Sequence, residues 1–293
     1  MKETAWEAGA FGGAAGRRRA LLFGRMYEDP EIERAAFRGR RRVFAIASAG
    51  CTAMALSQDH EVVACDINPV QLEYARRRLA GTPRETGSAE RVMALARRMA
   101  VLAGWSEGRL REFLALGDVR EQGEYWRRHL DTWRYRTGFD LLLSPRWLRL
   151  VYSSELLAFL PDDFGRVLRE RLARGFATHP NATNPYARAL LLGEEKEAPA
   201  AAASPVELVE ADAASFLERA APGSFDAFTL SNILDGATAA YRDRLWSAVA
   251  RAAAPGAIAV LRSFGEPSAR TAENCAAQDR SMLWGSVEIR AAR

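Results

Sequence analysis

Two short stretches carry residue types whose spacing suits chemistry. Ser48-Ala49-Gly50-Cys51 is a small-residue turn that follows the apolar run Val43-Phe44-Ala45-Ile46-Ala47. Asp66-Ile67-Asn68-Pro69-Val70-Gln71 follows a second apolar run, Glu61-Val62-Val63-Ala64-Cys65. Small residues at a strand-to-helix turn let a ligand approach the backbone. The N–H groups opening the next helix lack partners and carry partial positive charge. An acid ending the second strand can accept both hydroxyls of a ribose. Strand, turn, helix, strand and acid together read as the nucleoside-binding half of a doubly wound α/β domain. Of the three glycines of a dinucleotide fingerprint only Gly50 is present, and the Cβ atoms of Ala49 and Ala53 argue against a pyrophosphate pressed on the turn. The alternative is a β-α-β unit with no ligand.

Further candidates lie where later strands end. The alternating run Val206 to Glu210 leads into Ala211-Asp212-Ala213, an acidic position suited to an adenine amino group. The strand Ala227 to Leu230 leads into Ser231-Asn232-Ile233-Leu234-Asp235-Gly236. Open parallel sheets bind ligands at the carboxyl ends of their strands, so this polar cluster is the expected place for reacting groups. Upstream of the first strand, Tyr27-Glu28-Asp29 brings a phenol and two carboxylates together, with a helix cap as the alternative role of Asp29. The rigid loop Thr178 to Tyr186 offers His179 and Tyr186.

These residues need a scaffold. Residues 1–42 read as an N-terminal helical cap, with helix-compatible spacing over Arg18 to Met26 and a helix from Pro30 through Phe37. Residues 43–80 form the first half of the core, closed by a helix over Pro69 to Leu79. Residues 81–202 read as a helical insertion on the acceptor side, with helices over Arg91–Ala103, Glu107–Leu116 and Gln122–Tyr135, a helical run with breaks over Phe139–Leu160, and Trp126, Trp133 and Trp147 in its core. Glu194 to Pro205 reads as an exposed linker. Residues 203–293 complete the core with a helix over Tyr241–Ala253, a fifth strand over Ala257–Leu261, and a closing hairpin from Met282-Leu283-Trp284 and Ser286-Val287-Glu288-Ile289 around Gly285.

At 293 residues the chain can bury a sizeable core. Cys51, Cys65 and Cys275 are odd in number and lack metal-ligand spacing, which points to reduced thiols and no metal. The net charge is +4, and all but two of the 41 basic residues are arginine, the exceptions being Lys2 and Lys196. The runs Arg17-Arg18-Arg19 and Arg40-Arg41-Arg42 suit either a solvated face or contact with phosphate or anionic lipid. Aromatic and basic residues do not interleave as on a nucleic-acid stacking surface, so no nucleic-acid partner is expected. No apolar run of about 18 residues occurs, so the expected location is the cytoplasm, with peripheral contact at the inner membrane surface as an extension.

The order of five β-α units, a Pro-Gly turn before the fifth strand and a terminal hairpin resembles the class I S-adenosylmethionine (SAM) dependent transferase fold. The expected fold class is therefore α/β. It has a Rossmann-like, mostly parallel sheet, a C-terminal antiparallel hairpin, a helical cap and a large helical insertion. More narrowly, the chain resembles the family of S-adenosylmethionine:diacylglycerol 3-amino-3-carboxypropyltransferase, which builds the homoserine head of betaine lipids. Phe23-Gly24-Arg25-Met26-Tyr27-Glu28-Asp29, Ile46 to Cys51 and Asp66 to Gln71 carry the resemblance. So do Asn184-Pro185-Tyr186, Leu230 to Asp235 and Asp279-Arg280-Ser281.

The resemblance implies that SAM is a co-substrate donating its 3-amino-3-carboxypropyl group to a lipid or small-molecule acceptor. Ser48, Ala49, Gly50 and Cys51 would then lie near the methionine portion, and Asp66, Ile67, Asn68 and Gln71 near the ribose. Asp212 and Ala213 would contact adenine, and Ser231, Asn232 and Asp235 would flank the sulfonium. Tyr27, Glu28, His179, Tyr186 and Arg262 become candidates for carboxylate binding, acceptor placement or base work, with Tyr27 and Asp235 first for catalysis and Arg262 for substrate binding. A methyltransferase on the same fold and a non-catalytic SAM- or lipid-surface-binding protein are the alternatives.

Overall fold

The structure is a computed structural model that describes residues 20–149, 154–194, 201–266 and 273–293, with side chains from 157 onward in the second segment. The Arg17-Arg18-Arg19 run, Lys2 and residues 195–200 of the Glu194–Pro205 stretch, Lys196 among them, lie outside the described residues. No helix among the described residues is long and apolar enough to cross a membrane.

The strands are β1 (Arg42–Ile46), β2 (Glu61–Asp66), β3 (Val206–Glu210), β4 (Phe225–Thr229), β5 (Ala253–Ser263), β6 (Glu273–Asn274) and β7 (Ser286–Ala291). They form one seven-stranded sheet in the order β3-β2-β1-β4-β5-β7-β6. The first five are parallel, and β7 runs antiparallel between β5 and β6. The period-2 alternation of β1 sets the two faces. Val43 and Ala45 pack with Ile32, Ala53, Leu56 and Leu72 of α1 (Glu31–Ala36), α2 (Cys51–Leu56) and α3 (Pro69–Leu79). Phe44 points the other way, into a cluster with Leu217, Leu245 and Val249.

Between α3 and β3 come α4 (Ser88–Ala100), a 3-10 turn (Val101–Ala103), α5 (Glu107–Ala115), α6 (Val119–Tyr125), α7 (Trp133–Leu142), α8 (Pro145–Leu148), α9 (Ser154–Phe159), α10 (Phe164–Phe176) and α11 (Pro185–Leu191). The far face of the sheet is covered by α12 (Ala213–Arg219) and α13 (Ala239–Ala252). The helical segment has its own aromatic core of Trp105, Phe113, Trp126, Tyr135 and Phe176, into which Met282 inserts. A Cβ on Gly175 would fall 2.3 Å from Met282 Cγ, so glycine is required for that close approach.

Four expectations need correction. Residues 20–29 are not helical; they form an extended strap whose backbone groups are taken by side chains distant in sequence. Met282–Trp284 is not a strand, because Met282 adopts a left-handed backbone (φ 64°) and β6 is instead Glu273–Asn274. The helix expected over Gln122–Tyr135 is split, since Asp131 and Thr132 leave the helix and Thr132 caps α7 through the Tyr135 N–H. Trp133 and Trp147 are not core residues: they are 72% and 50% exposed, whereas Trp126 is buried. Arg40 and Arg41 lead into β1, which Arg42 begins at the end of the sheet opposite the strand C-termini, where Arg42 pairs with Glu61 at 2.8 Å.

Candidate functional site

A cleft opens at the carboxyl ends of β1, β2, β3 and β4. It lies at the topological switch point, where the chain order reverses between β1 and β4. It is a cavity of about 120 Å³ that opens to solvent. Of the expected cofactor-binding residues, Ser48, Asp66, Ile67, Asn68, Gln71, Asp212, Ala213, Ser231 and Asn232 line it.

Asp66 is fixed by local backbone. Its Oδ2 accepts from the Ser48 N–H at 3.0 Å and its Oδ1 from the Asn68 N–H at 2.8 Å. Burial raises its pKa to about 6, against those backbone bonds, which lower it. Each carboxylate oxygen has two lone pairs, so acceptor capacity remains on the cleft side. Asp212 caps α12 through the Ser215 N–H at 2.8 Å and accepts from the Tyr241 hydroxyl at 2.5 Å. The cleft thus places two acids at the ends of adjacent parallel strands, β2 and β3.

Ser48 and Ser231 lie just past the ends of β1 and β4, which are neighbours in the sheet. Both adopt left-handed backbone, with φ of 42° and 51°. That region is uncommon for residues other than glycine, and such strain concentrates at functional sites. The Ser231 hydroxyl donates to Glu28 Oε1, and Thr52 Oγ1 donates to Glu28 Oε2 at 3.3 Å. Glu28 is buried behind Ser231, and burial raises its pKa although Arg262 and Ser231 lower it.

The strap closes one side. The Gln71 amide oxygen accepts from the Leu22 and Phe23 N–H groups at 3.0 and 3.2 Å, and its nitrogen donates to the Phe23 carbonyl at 2.8 Å. Asn68 donates to the Ala20 carbonyl at 3.0 Å while capping α3 through the Val70 N–H. Leu22 and Phe23 consequently face the cleft. Gln71 thus lines the cleft and also clamps the strap.

Ala49, Gly50 and Cys51 do not line the cleft. Ala49 is buried against Met26 and Tyr74, Gly50 turns the chain at φ 79°, and Cys51 Sγ receives the Met26 N–H at 3.5 Å. Arg262 is corrected too. It is fully buried and donates to Asp279 Oδ2 at 3.1 Å, to both Glu33 oxygens and to the Asp29 carbonyl, which leaves it nothing to offer a substrate. Burial opposes its charge, but the Glu33 and Glu28 carboxylates outweigh this and hold its pKa well above the ordinary value.

The remaining candidates scatter. The Tyr186 hydroxyl donates to the Glu28 carbonyl at 2.6 Å, and burial raises its pKa well above the ordinary value. His179 is half-buried near the Asp29–Arg280 pair, and burial lowers its pKa. Tyr27 is outside the cleft lining, with the Arg25 guanidinium 5.4 Å from its ring centroid and its pKa raised by burial. Asp235 is buried beside the cleft, where it accepts from Ser263 Oγ at 2.7 Å, the Phe264 N–H at 3.0 Å and Asn232 Nδ2 at 3.2 Å. Burial raises its pKa to about 6. It braces Asn232 rather than facing the cleft.

Residue-by-residue reading missed Leu22, Phe23, Ile46, Cys65, Ala211, Ile233 and Tyr241 as lining residues. Ile46 and Cys65 could have been found as the last inward-facing positions of β1 and β2. Tyr241 has no local signal.

Sheet order and cleft position define a Rossmann-like fold of the class I SAM-dependent transferase type. No family model matches the chain and no curated protein matches it. Among solved structures it is similar to the rRNA methyltransferase aviRa from Streptomyces viridochromogenes, at 14% identity and a TM-score of 0.34, covering 87% of this chain and 83% of that one. A likeness of that degree carries no function from that protein to this one.

Proposed function

We propose that this protein is a SAM-dependent transferase that moves the 3-amino-3-carboxypropyl group of SAM to a hydroxyl or other nucleophile of a lipid or small-molecule acceptor. The observation that carries the donor assignment is Asp66, held by the Ser48 and Asn68 N–H groups at the mouth of the switch-point cleft. An ionised acid there receives the two ribose hydroxyls, and Asp212 at the end of the neighbouring strand receives the adenine amino group. The choice of transferred group rests on the resemblance. The Asp66-x-Asn68-Pro69-x-Gln71 element that carries it acts here as a unit, holding both the cleft acid and the strap.

In this reaction the acceptor attacks the Cγ carbon of the aminocarboxypropyl group. The Cγ–S bond breaks, its electron pair goes to sulfur, and methylthioadenosine leaves. The sulfonium is already a good leaving group, so proximity and alignment supply most of the catalysis. A hydroxyl acceptor also needs to lose a proton. Ser231 connects the cleft to Glu28, which is the route assigned to that proton.

Incubation with SAM and candidate acceptors, followed by chromatography of the nucleoside co-product, tests this reading. Methylthioadenosine formed in an acceptor-dependent manner is expected. S-adenosylhomocysteine would replace it with methyl transfer, and SAM binding without either co-product would remove the catalytic assignment.

A further inference from the structure

The large apolar side chains left exposed are not scattered. Apart from Val70, all of those among the described residues fall between Val92 and Trp147. On α4 the solvent-facing positions are Ser88, Arg91, Val92, Leu95, Arg98 and Met99, and none of the helix's residues is fully buried. Those positions recur at helical spacing, so Val92, Leu95 and Met99 form an apolar stripe on the outward face, interleaved with arginine. The stripe continues through Leu102, which is 78% exposed. Thr132 Oγ1 donates to the Ala103 carbonyl at 3.2 Å, which brings Trp133 beside the 3-10 turn. α7 packs on α4 and on that turn, and α8, with Trp147, packs on α7. The exposed apolar residues therefore sit on neighbouring, mutually packed elements of the helical segment, which carry the patch.

We propose that this patch docks on an anionic lipid bilayer. Charge complementarity selects that partner. Arg91, Arg98, Arg134 and Arg146 border the patch, are exposed, and make no ion pair among the described residues. The neighbouring acids are already engaged. Glu90 turns inward to the Gly24 N–H at 2.9 Å, Asp131 pairs with Arg136 at 2.8 Å and Asp140 with Arg169 at 2.7 Å. Aliphatic side chains, two exposed tryptophans and unneutralised arginines are the composition that seats in a headgroup layer. A second copy in an isologous contact would set arginine against arginine. Single-stranded nucleic acid needs aromatic platforms, where this stripe is mostly aliphatic.

The same helix reaches the cleft. The Ser88 and Ala89 N–H groups donate to the Leu21 and Leu22 carbonyls at 3.0 and 2.9 Å, so α4 anchors the strap that supplies Leu22 and Phe23 to the cleft wall. Docking through α4 brings the strap side of the cleft to the bilayer. The docking surface stands independently of the SAM reading.

Co-sedimentation of the full chain with phosphatidylcholine vesicles, with and without phosphatidylglycerol, tests the proposal. Binding to the phosphatidylglycerol vesicles, weakened by salt, is expected. In the triple variant Leu95→Glu, Leu102→Glu, Trp133→Glu the partition coefficient falls roughly tenfold or more. Arg91→Gln with Arg98→Gln removes the preference for the anionic vesicles. SAM calorimetry and circular dichroism of the variants stay at wild-type values, because the altered side chains are exposed and remote from the cleft lining. The proposal is overturned by absence of vesicle binding in the wild type, or by undiminished binding of the triple variant. It is equally overturned by a wild-type dimer that the triple variant dissociates, or by retention on single-stranded nucleic acid stronger than on vesicles.

Discussion

Gln71 grips Phe23 from both sides of one peptide position, accepting its N–H at 3.2 Å and donating to its carbonyl at 2.8 Å. A side-chain amide here does what a neighbouring strand would do, and it explains how an irregular strap can form a cleft wall. Gln71→Ala deletes these bonds and the one to the Leu22 N–H. At about 1 kcal/mol each, the strap loses about 3 kcal/mol of local stability. Limited trypsin digestion with mass spectrometry should show faster cleavage after Arg25, with only a small fall in global Tm. SAM affinity should weaken, because Leu22 and Phe23 no longer hold their places.

Asp66→Ala removes the proposed ribose acceptor. Hydrogen bonds to a charged group are worth roughly 1.5–3 kcal/mol each, so SAM affinity should fall at least tenfold. Isothermal calorimetry measures this directly. An unchanged Kd would remove Asp66 from the donor site.

The pH dependence of SAM binding follows from the same carboxyl. Burial raises Asp66 to about 6 in the folded protein. Ribose hydroxyls donate to its ionised form, so binding below that pKa releases a proton. Affinity should therefore rise with pH, by at most tenfold per unit, and level off above about 6. Calorimetry in buffers of different ionisation enthalpy should detect the released proton at pH 5 and not at pH 8. Asp66→Asn should flatten the profile.

Arg262 sits among four buried acids, Glu28, Asp29, Glu33 and Asp279. Removing one partner of a buried charged network costs roughly 3–5 kcal/mol, so Arg262→Leu should lower Tm strongly. The sign of its pH dependence is fixed. Burial already raises the pKa values of Glu28 and Asp279 above the ordinary carboxylate value, and the arginine opposes that rise. Without it the folded acids bind protons more tightly than the unfolded ones, so the variant loses stability as pH rises through their folded pKa values. The Tm deficit should be smaller at pH 5 than at pH 8. A pH-independent deficit would mean that lost packing, not charge, dominates.

Much of the core was legible in the sequence because its determinants are local. Pro69–Leu79 forms α3 because Asn68 caps it and Pro69 occupies its first turn, both within three residues of the helix start. The alternation in Val43-Phe44-Ala45 assigns successive side chains to opposite sheet faces, and the small-residue turn Ala47 to Gly50 sets where β1 stops. Asp66, Asp212 and the Ser231-Asn232 pair could thus be placed at strand ends before any packing was known. Tertiary structure decided what lay beyond those ends. The strap has helix-compatible spacing, but Gln71 and Glu90, 49 and 66 residues from their partners Leu22 and Gly24, satisfy its backbone in extended form. Arg262 carries the chemistry of a substrate clamp, and only the convergence of Glu33 and Asp279 shows that its donors are taken. Trp133 and Trp147 have core composition, yet the packing of α4, α7 and α8 turns them outward. Local sequence sets hydrogen bonds within a turn or a strand; which group is buried, paired or left facing solvent depends on partners that the chain brings together only when folded.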